Sequence, residues 1–384
     1  MRKIAIIGVG LIKWGELWET SLRQIAAEAV FNCLEDAGTD RIDSMFIGNM
    51  SGGLFNGQEH LSSLIPDQMG RNNIPAMRVE SACASGGMAV RTACIEVASG
   101  ISDYAVAVGV EKMTDISGQE ATYALATAAD QDYEAFHGVT FPGLYAMMAK
   151  AHMDRYGTTR DQLSSVVIKN HLNGSMNPNA QFPFKITSEQ VMKSPMIADP
   201  LRLLDCSPIT DGAAAVLITT VEEAKKLKRQ PVLISGFGHA SDSIALSSRK
   251  DILQLEAVEL SAEKALKMAD KTIKEIDFAE FHDCFSIAEI LVLEALGVVA
   301  HGDGGKASMD GLTALDGSFP VNSSGGLKSK GHPVGATGVA QICEVVTQLR
   351  GEAGERQLKN IKTGLTQNMG GSAGSSVVHI LEVI

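Results

Sequence analysis

One cysteine lies where its thiol could act as a nucleophile. Cys83 sits among small residues in Glu80-Ser81-Ala82-Cys83-Ala84-Ser85-Gly86-Gly87, directly before a helical pattern over residues 88–97. The unpaired N–H groups and the positive dipole end of a helix N-terminus can lower a thiol pKa from about 8.5 towards neutrality. The pattern therefore predicts a nucleophilic Cys83. The alternative is a small buried side chain at a position where only small residues fit.

Two further segments carry imidazole groups. His282-Asp283-Cys284-Phe285 follows a short predicted strand, and α/β proteins place functional groups beyond the carboxyl ends of their strands. Gly331-His332-Pro333 lies in the glycine-rich stretch 325–338, before another predicted helix. Such a stretch is suited to close approach of a ligand, although it matches neither a Walker A pattern nor a GxGxxG pattern that directly follows a strand. Residues 368–374 predict a further flexible turn.

The elements that must position these segments occur twice in the same order. A strand, a helix and a second strand are predicted at 3–10, 21–37 and 44–47, and again at 231–236, 255–268 and 278–281. This predicts two similar halves, 1–228 and 229–384, unless the likeness is only that of any two βαβ units. An insertion over about residues 117–208, rich in Asn, Pro, Met and His, is expected to cover a site.

Composition excludes several classes of protein. The 384 residues are 45% hydrophobic and 20% charged, which is typical of a compact globular protein. The formal net charge is -12, so no nucleic-acid partner is expected. The six cysteines form no CxxC pair or metal-ligand cluster, and neither a signal peptide nor an apolar run of membrane-spanning length occurs. We therefore expect a cytoplasmic protein with no metal and no membrane association.

The order and spacing of the motifs resemble those of the thiolase superfamily. The motifs that carry the resemblance are Ser81-Ala82-Cys83-Ala84-Ser85-Gly86, His282-Asp283-Cys284-Phe285, Gly331-His332-Pro333 and Asn368-Met369-Gly370-Gly371. The sequence is most similar to the archaeal and sterol-carrier-protein type of acetyl-CoA acetyltransferase, which carries His-Asp-Cys-Phe where other thiolases carry Asn-Glu-Ala-Phe. The resemblance implies the α/β thiolase fold: two duplicated βαβαβαββ halves that form an αβαβα layered core, with an inserted loop domain.

The resemblance also implies a reaction. Two acetyl-CoA molecules would be interconverted with acetoacetyl-CoA and CoA through an acyl-Cys83 intermediate, as the first step of mevalonate and isoprenoid synthesis. No cofactor is expected beyond the coenzyme A thioesters that serve as substrate and product. His332 is expected to accept the Cys83 proton and then to donate to the oxygen of the enolate, together with a water held by His282.

The remaining site residues follow from the same resemblance. Cys284 is expected to act as acid and base, because Asn368 stands where biosynthetic thiolases carry a second cysteine. The backbone N–H group of Gly370 is expected to form an oxyanion site with that of Cys83. Phe285 and Gly371 are expected to contact substrate.

Several alternatives stay open at this point. The chain could be a β-ketoacyl synthase-like condensing enzyme, which uses Cys with two His or with His and Asn, or a non-catalytic protein that binds acyl-CoA or lipid. His282 could be a structural residue that orients Asp283, and Asp283 could hold a loop without touching substrate. Lys328 and Lys330 could meet CoA phosphates or be solvated.

The resemblance also extends to partners. It implies a homodimer or tetramer. For archaeal members it further implies a complex with a hydroxymethylglutaryl-CoA synthase and a small zinc-binding bridging protein.

Overall fold

The computed structural model describes residues 2–227 and 229–384. Within them the strands are β1 (Ile4–Leu11), β2 (Ser44–Gly48), β3 (Ala76–Val79), β4 (Tyr104–Glu111), β5 (Met196–Ala198), β6 (Leu201–Arg202), β7 (Gly212–Thr220), β8 (Val232–Ser241), β9 (Phe278–Glu280), β10 (Thr363–Gly370) and β11 (Ser375–Val383). The helices are α1 (Leu22–Ala37), α2 (Gly52–Asn56), α3 (Leu61–Gln68), α4 (Ser85–Ser99), α5 (Gly118–Ala126), α6 (Phe141–Tyr156), α7 (Arg160–Gly174), α8 (Ser188–Lys193), α9 (Val221–Ala224), α10 (Glu256–Ala269), α11 (Ser286–Ala295), α12 (Gly304–Met309), α13 (Gly326–Ser329) and α14 (Thr337–Leu349).

The strands of the two halves follow the same order outward from the centre of the main sheet. Its strand order is β3-β2-β4-β7-β1-β8-β11-β10-β9, and β1 and β8 pair antiparallel where the two halves meet. Reading outward from that pair, β1, β7, β4 and β2 correspond to β8, β11, β10 and β9. The counterpart of β3 is reduced to one bridge between Ala279 and Val321. The strand order thus agrees with the expected duplication.

The helices complete five layers. Helix α1 packs on β1 and β7 of the first half, and α10 packs on β8 and β11 of the second. Helices α4 and α14 pack on each other and on strands from both halves, so they form the middle layer. The predicted αβαβα core is confirmed. The predicted boundary between the halves falls at Lys228, which lies outside the described residues, and stays a prediction.

The insertion is more regular than its composition indicates. Residues 170–174 of the insertion lie in α7, whose polar side chains are buried against the second half. The side-chain amide of Asn170 donates to a carboxylate oxygen of Asp283 at 2.7 Å and to one of Glu289 at 2.9 Å. These buried hydrogen bonds explain why a helix with little apolar periodicity is stable there.

A helix that crosses a bilayer needs about 20 mostly apolar residues. Among residues 2–227 and 229–384, no helix combines the length and the hydropathy needed to cross a bilayer.

Candidate active site

A cavity of about 300 Å³ lies where both halves and the insertion meet. Its wall is largely apolar and includes Met113, Leu125, Phe141, Tyr145, Phe285 and Val334. The thiol and imidazole side chains that line it are Cys83, Cys206, Cys284 and His332, and Gly371 contributes backbone. Segments far apart in sequence therefore bring three thiols and an imidazole to one apolar space.

A tight, strained turn presents Cys83. Ala82 has φ of 49°, a left-handed conformation that is unusual for a residue with a side chain. The turn is held by a hydrogen bond from the Ala84 amide to the Ser81 carbonyl at 2.9 Å and by one from the Ser85 hydroxyl to the Ala82 carbonyl at 2.6 Å. Strain of this kind persists where neighbouring contacts fix the backbone, as they often do at functional sites.

Glycines bring the loops of Cys83 and His332 together. A side chain on Gly86, in the first turn of α4, would place its Cβ 2.6 Å from the Gly335 carbonyl oxygen. A side chain on Gly338, in the first turn of α14, would overlap the amide of Gly87 and lie 2.8 Å from its Cα. The two helix N-termini can therefore approach this closely only without side chains at these positions.

The thiol and both predicted histidines form one cluster. The Cys83 sulfur and one ring nitrogen each of His282 and His332 all lie within 4.8 Å of one another. The two rings meet edge to face, with their centroids 4.9 Å apart and an angle of 79° between their planes. Such a donor set can also bind a soft metal ion, so the expectation that no metal is bound stays a prediction.

Hydrogen bonds select the form of His332 that can accept a proton. Its Nδ1 lies 2.7 Å from the hydroxyl of Thr337, and that hydroxyl donates its proton to the Pro333 carbonyl at 3.1 Å. Nδ1 must therefore carry the ring proton, which leaves Nε2 as an acceptor. Burial, together with the neighbouring His282, lowers the pKa of His332 well below its ordinary value.

Asn368 selects the opposite form for His282. The Asn368 amide donates to the Cys83 carbonyl and faces Nδ1 of His282, both at 3.0 Å, while its oxygen accepts from the Gly87 amide. Nδ1 of His282 is thus an acceptor and Nε2 carries the proton. Nε2 is buried and has no hydrogen-bond partner among the described residues. Burial also lowers the pKa of His282 to about 3, so the ring is neutral near pH 7.

The expected effect of the helix dipole on Cys83 is outweighed. Burial raises the pKa of Cys83 to about 12, assisted by the nearby Cys284, while the amide of Gly371 acts in the opposite direction. Burial likewise raises the pKa of Cys284 to about 12. The prediction of a near-neutral pKa for Cys83 was wrong. Removal of water destabilises the thiolate by more free energy than a helix N-terminus stabilises it. Both sulfurs rest as thiols.

The glycine turn after β10 lies against the nucleophile. A side chain on Gly370 would place its Cβ 2.5 Å from the Ser81 carbonyl oxygen, so glycine is required there. The amide of the next residue, Gly371, points to the Cys83 sulfur. Phe285 stacks on Tyr145 in the cavity wall, with ring centroids 4.5 Å apart. The roles assigned to these backbone and aromatic groups stay predictions.

Both lysines of the glycine-rich loop are buried, which contradicts both interpretations offered for them. Lys328 donates to the Asp283 carbonyl, and its ammonium lies 3.3 Å from the carboxylate of the same residue. Lys330 lies over the ring of Trp14, 5.3 Å from its centroid. Neither can reach the phosphates of a ligand in solvent. Asp283 also accepts from the Leu327 amide at 2.8 Å, so it holds this loop.

Sequence reasoning missed three residues of the site. Thr337 lies in the glycine-rich stretch 325–338 but was given no role, Tyr145 belongs to no motif, and Asn368 was given only as a difference from the biosynthetic pattern. The signal available for Thr337 was its place at the start of the helix that follows His332, five residues along the chain.

Comparisons with known proteins agree with the motifs. The family description "Thiolase, N-terminal domain" matches residues 4–222, and "Thiolase C-terminal domain-like" matches residues 238–383. An acetyl-CoA acetyltransferase of Methanothermobacter thermautotrophicus is 55% identical, and one of Methanocaldococcus jannaschii is 49% identical, each over 99% of both chains. A solved "Ltp2-ChsH2(DUF35) aldolase" has the same fold, with a TM-score of 0.85 at 24% identity over 99% of this chain and 98% of that chain.

Proposed function

The chain belongs to the thiolase family, and from that premise we propose that it is an acetyl-CoA C-acetyltransferase that interconverts two acetyl-CoA with acetoacetyl-CoA and CoA. The archaeal relatives that match along the whole chain carry that name. The observation that carries the proposal is the cluster of the Cys83 sulfur and the His282 and His332 nitrogens within 4.8 Å, beside a second thiol in the same cavity.

In the first half-reaction Cys83 takes the acetyl group. Nε2 of His332 accepts the thiol proton as the sulfur attacks the thioester carbonyl, so no free thiolate has to form in the resting site. Collapse of the tetrahedral intermediate breaks the bond to the CoA sulfur, which leaves with the proton held on His332. The products are acetyl-Cys83 and CoA.

In the second half-reaction Cys284 acts as the base. It passes its proton to His332 and, as a thiolate, removes a proton from the methyl group of a second acetyl-CoA. The imidazolium of His332 and Nε2–H of His282, directly or through a water, stabilise the enolate oxygen. Each donor of this kind contributes about 3 kcal/mol to the transition state.

Carbon–carbon bond formation completes the cycle. The enolate attacks acetyl-Cys83, and the amides of Cys83 and Gly370 hold the new oxyanion. The bond to the Cys83 sulfur then breaks, and that sulfur takes the proton from His332. Acetoacetyl-CoA leaves, and both thiols are again protonated. Phe285 and Gly371 contact the acyl group, and the reaction requires no cofactor beyond the CoA thioesters.

The wider context follows from the same proposal. The reaction would supply the first intermediate of mevalonate and isoprenoid synthesis, with an assembly that includes a hydroxymethylglutaryl-CoA synthase and a zinc-binding bridging protein. A homodimer or tetramer is supported by β3, which ends the nine-stranded sheet with Met77 half exposed. No strand among the described residues pairs with its outer side. Separate peaks in size-exclusion of the co-expressed proteins would contradict the assembly.

Mass spectrometry after mixing with acetyl-CoA tests the proposed reaction. We expect a peptide-mapped acetyl adduct on Cys83 in the wild type and in Cys284→Ala, but no acetoacetyl-CoA from Cys284→Ala. Cys83→Ala should carry no adduct. Cys94→Ala, which removes a buried thiol of α4 outside the cavity, should behave as the wild type. An unmodified wild-type protein would instead favour a non-catalytic binder of CoA esters.

A further inference from the structure

Tyr145 is the buried hydroxyl of the cavity that the proposed mechanism does not use. It lies in α6 of the insertion, is 1% exposed, and lines the cavity with Cys83 and Cys284. Its ring is fixed by stacking on Phe285 at 4.5 Å. A phenol held in an apolar wall needs a hydrogen-bond partner for its hydroxyl group.

The Tyr145 hydroxyl stands between the backbone of the glycine turn and the second thiol. It donates to the Gly371 carbonyl oxygen at 3.0 Å. The Cys284 sulfur lines the same cavity and is close enough that the two groups shift each other's pKa. Cys83 and Arg249 also act on the pKa of Tyr145, more weakly than Cys284. The amide of the same Gly371 points to the Cys83 sulfur. The backbone of one glycine and one phenol therefore lie between the two reactive sulfurs.

A phenol has one proton, and its acceptor depends on charge. While Cys284 is a neutral thiol, the Gly371 carbonyl is the stronger acceptor and receives the hydrogen bond. When Cys284 loses its proton, the thiolate becomes the stronger acceptor, since hydrogen bonds to ionised groups are about twice as strong as neutral ones. A rotation about the bond from the ring to the oxygen moves the proton from one acceptor to the other without moving the ring.

We propose that Tyr145 is a catalytic residue of the condensation step, whose hydroxyl turns from the Gly371 carbonyl to the Cys284 thiolate and stabilises it. The inference rests on the proposed function, which it deepens. No covalent bond of Tyr145 forms or breaks, and its proton stays on oxygen throughout. The hydroxyl would stabilise the thiolate in addition to Lys328, whose charge also favours the ionised form of Cys284. It leaves the acylation of Cys83 unchanged.

The test compares the two half-reactions in Tyr145→Phe. We expect the rate of Cys83 acetylation, followed by intact mass, to stay within about threefold of the wild type. The formation of acetoacetyl-CoA should fall roughly 10- to 100-fold, as expected for loss of one hydrogen bond to a charged group. In a plot of acetoacetyl-CoA formation by Tyr145→Phe against pH, the alkaline limb should lie at higher pH than in the wild type. Tyr104→Phe is the matched control, because that hydroxyl contacts Glu223 outside the cavity.

The outcomes separate this inference from the proposed function. If the wild type does not acetylate Cys83, the proposed function fails. If the wild type reacts and Tyr145→Phe slows both half-reactions equally, or neither, Tyr145 has no role in condensation. Should Tyr145→Phe fail to fold, 3,5-difluorotyrosine at position 145 keeps the ring and is a stronger donor. The pH profile of Cys284 alkylation should then move to lower pH, and an unchanged profile overturns the inference.

Discussion

The side-chain nitrogen of Asn368 lies 3.0 Å from Nδ1 of His282. An amide nitrogen only donates, so this contact fixes the histidine as the form that carries its proton on Nε2. Asn368 thus sets the hydrogen-bonding direction of the ring beside Cys83.

Asn368→Asp should therefore inactivate the site without unfolding it. A carboxylate accepts where the amide donated, which moves the ring proton to Nδ1 and removes the donor from the enolate oxygen. We expect thiolysis of acetoacetyl-CoA to fall by about 100- to 1000-fold, the usual loss for one oxyanion donor. Asn72→Asp makes the same change on the exposed surface and should be neutral. Full activity of Asn368→Asp would show that His282 is structural.

Thr337→Val should impair the proton transfer of His332. The change leaves a buried Nδ1–H group without an acceptor, which costs about 1–3 kcal/mol, or roughly a 5- to 150-fold decrease in the acetylation rate of Cys83. Thr337→Ser should restore the rate. Thr347→Val is the matched control, because that hydroxyl in the same helix donates to the Cys343 carbonyl in the turn before it. Equal effects of both valine variants would contradict a role for the tautomer.

The free enzyme should react with iodoacetamide as a protonated thiol does. A pKa of about 12 for Cys83 means that its thiolate fraction is small near pH 7 and rises about tenfold with each pH unit up to pH 10. Peptide mapping in the Cys284→Ala background follows the alkylation rate of Cys83 alone. The alkylation rate of free cysteine, measured over the same pH series, should level off near pH 9. A plateau in the alkylation rate of Cys83 near pH 7 would contradict a resting site in which Cys83 is a protonated thiol.

Gly338→Ala should separate the N-termini of α4 and α14. The added methyl group overlaps the Gly87 amide and the Asn368 side-chain oxygen, and overpacking of this kind typically costs about 1–3 kcal/mol. We expect a lower melting temperature and a larger loss of activity, since the same contact sets the distance from Cys83 to His332. Gly118→Ala, at the start of α5, places its methyl group more than 4 Å from the other described residues beyond its chain neighbours and the backbone of its own helix, so it should be neutral or slightly stabilising. An unchanged Gly338→Ala enzyme would contradict the close contact.

Local patterns predict the frame and the reactive groups of this protein. The strand–helix–strand sets and the motifs around Cys83, His282 and His332 depend on neighbours in sequence, and the structure places them as expected. Burial raises the pKa of Cys83, and the cavity that it lines is walled in part by Phe141 and Tyr145 of the insertion. No local sequence pattern contains this burial.

The burial of polar side chains such as Lys328 and Asn170 also depends on tertiary contacts that a local sequence pattern does not contain. Lys328 and Asn170 resemble surface residues until their partner, Asp283, is known. The pairing is set by tertiary packing between α7, α13 and the segment after β9. The expectations for the lysines of the glycine-rich loop were therefore wrong, whereas apolar periodicity predicted the strand–helix–strand sets correctly.

The origin of the clustered groups in different halves has a consequence for folding. Cys83 comes from the first half, whereas His282, His332 and Asn368 come from the second. A folding intermediate in which only one half is ordered holds either a thiol without its base or a base without its thiol. Acyl-transfer chemistry is thus absent until the halves dock through α4 and α14. Recovery of activity during refolding would report that docking step, and not the earlier formation of either half.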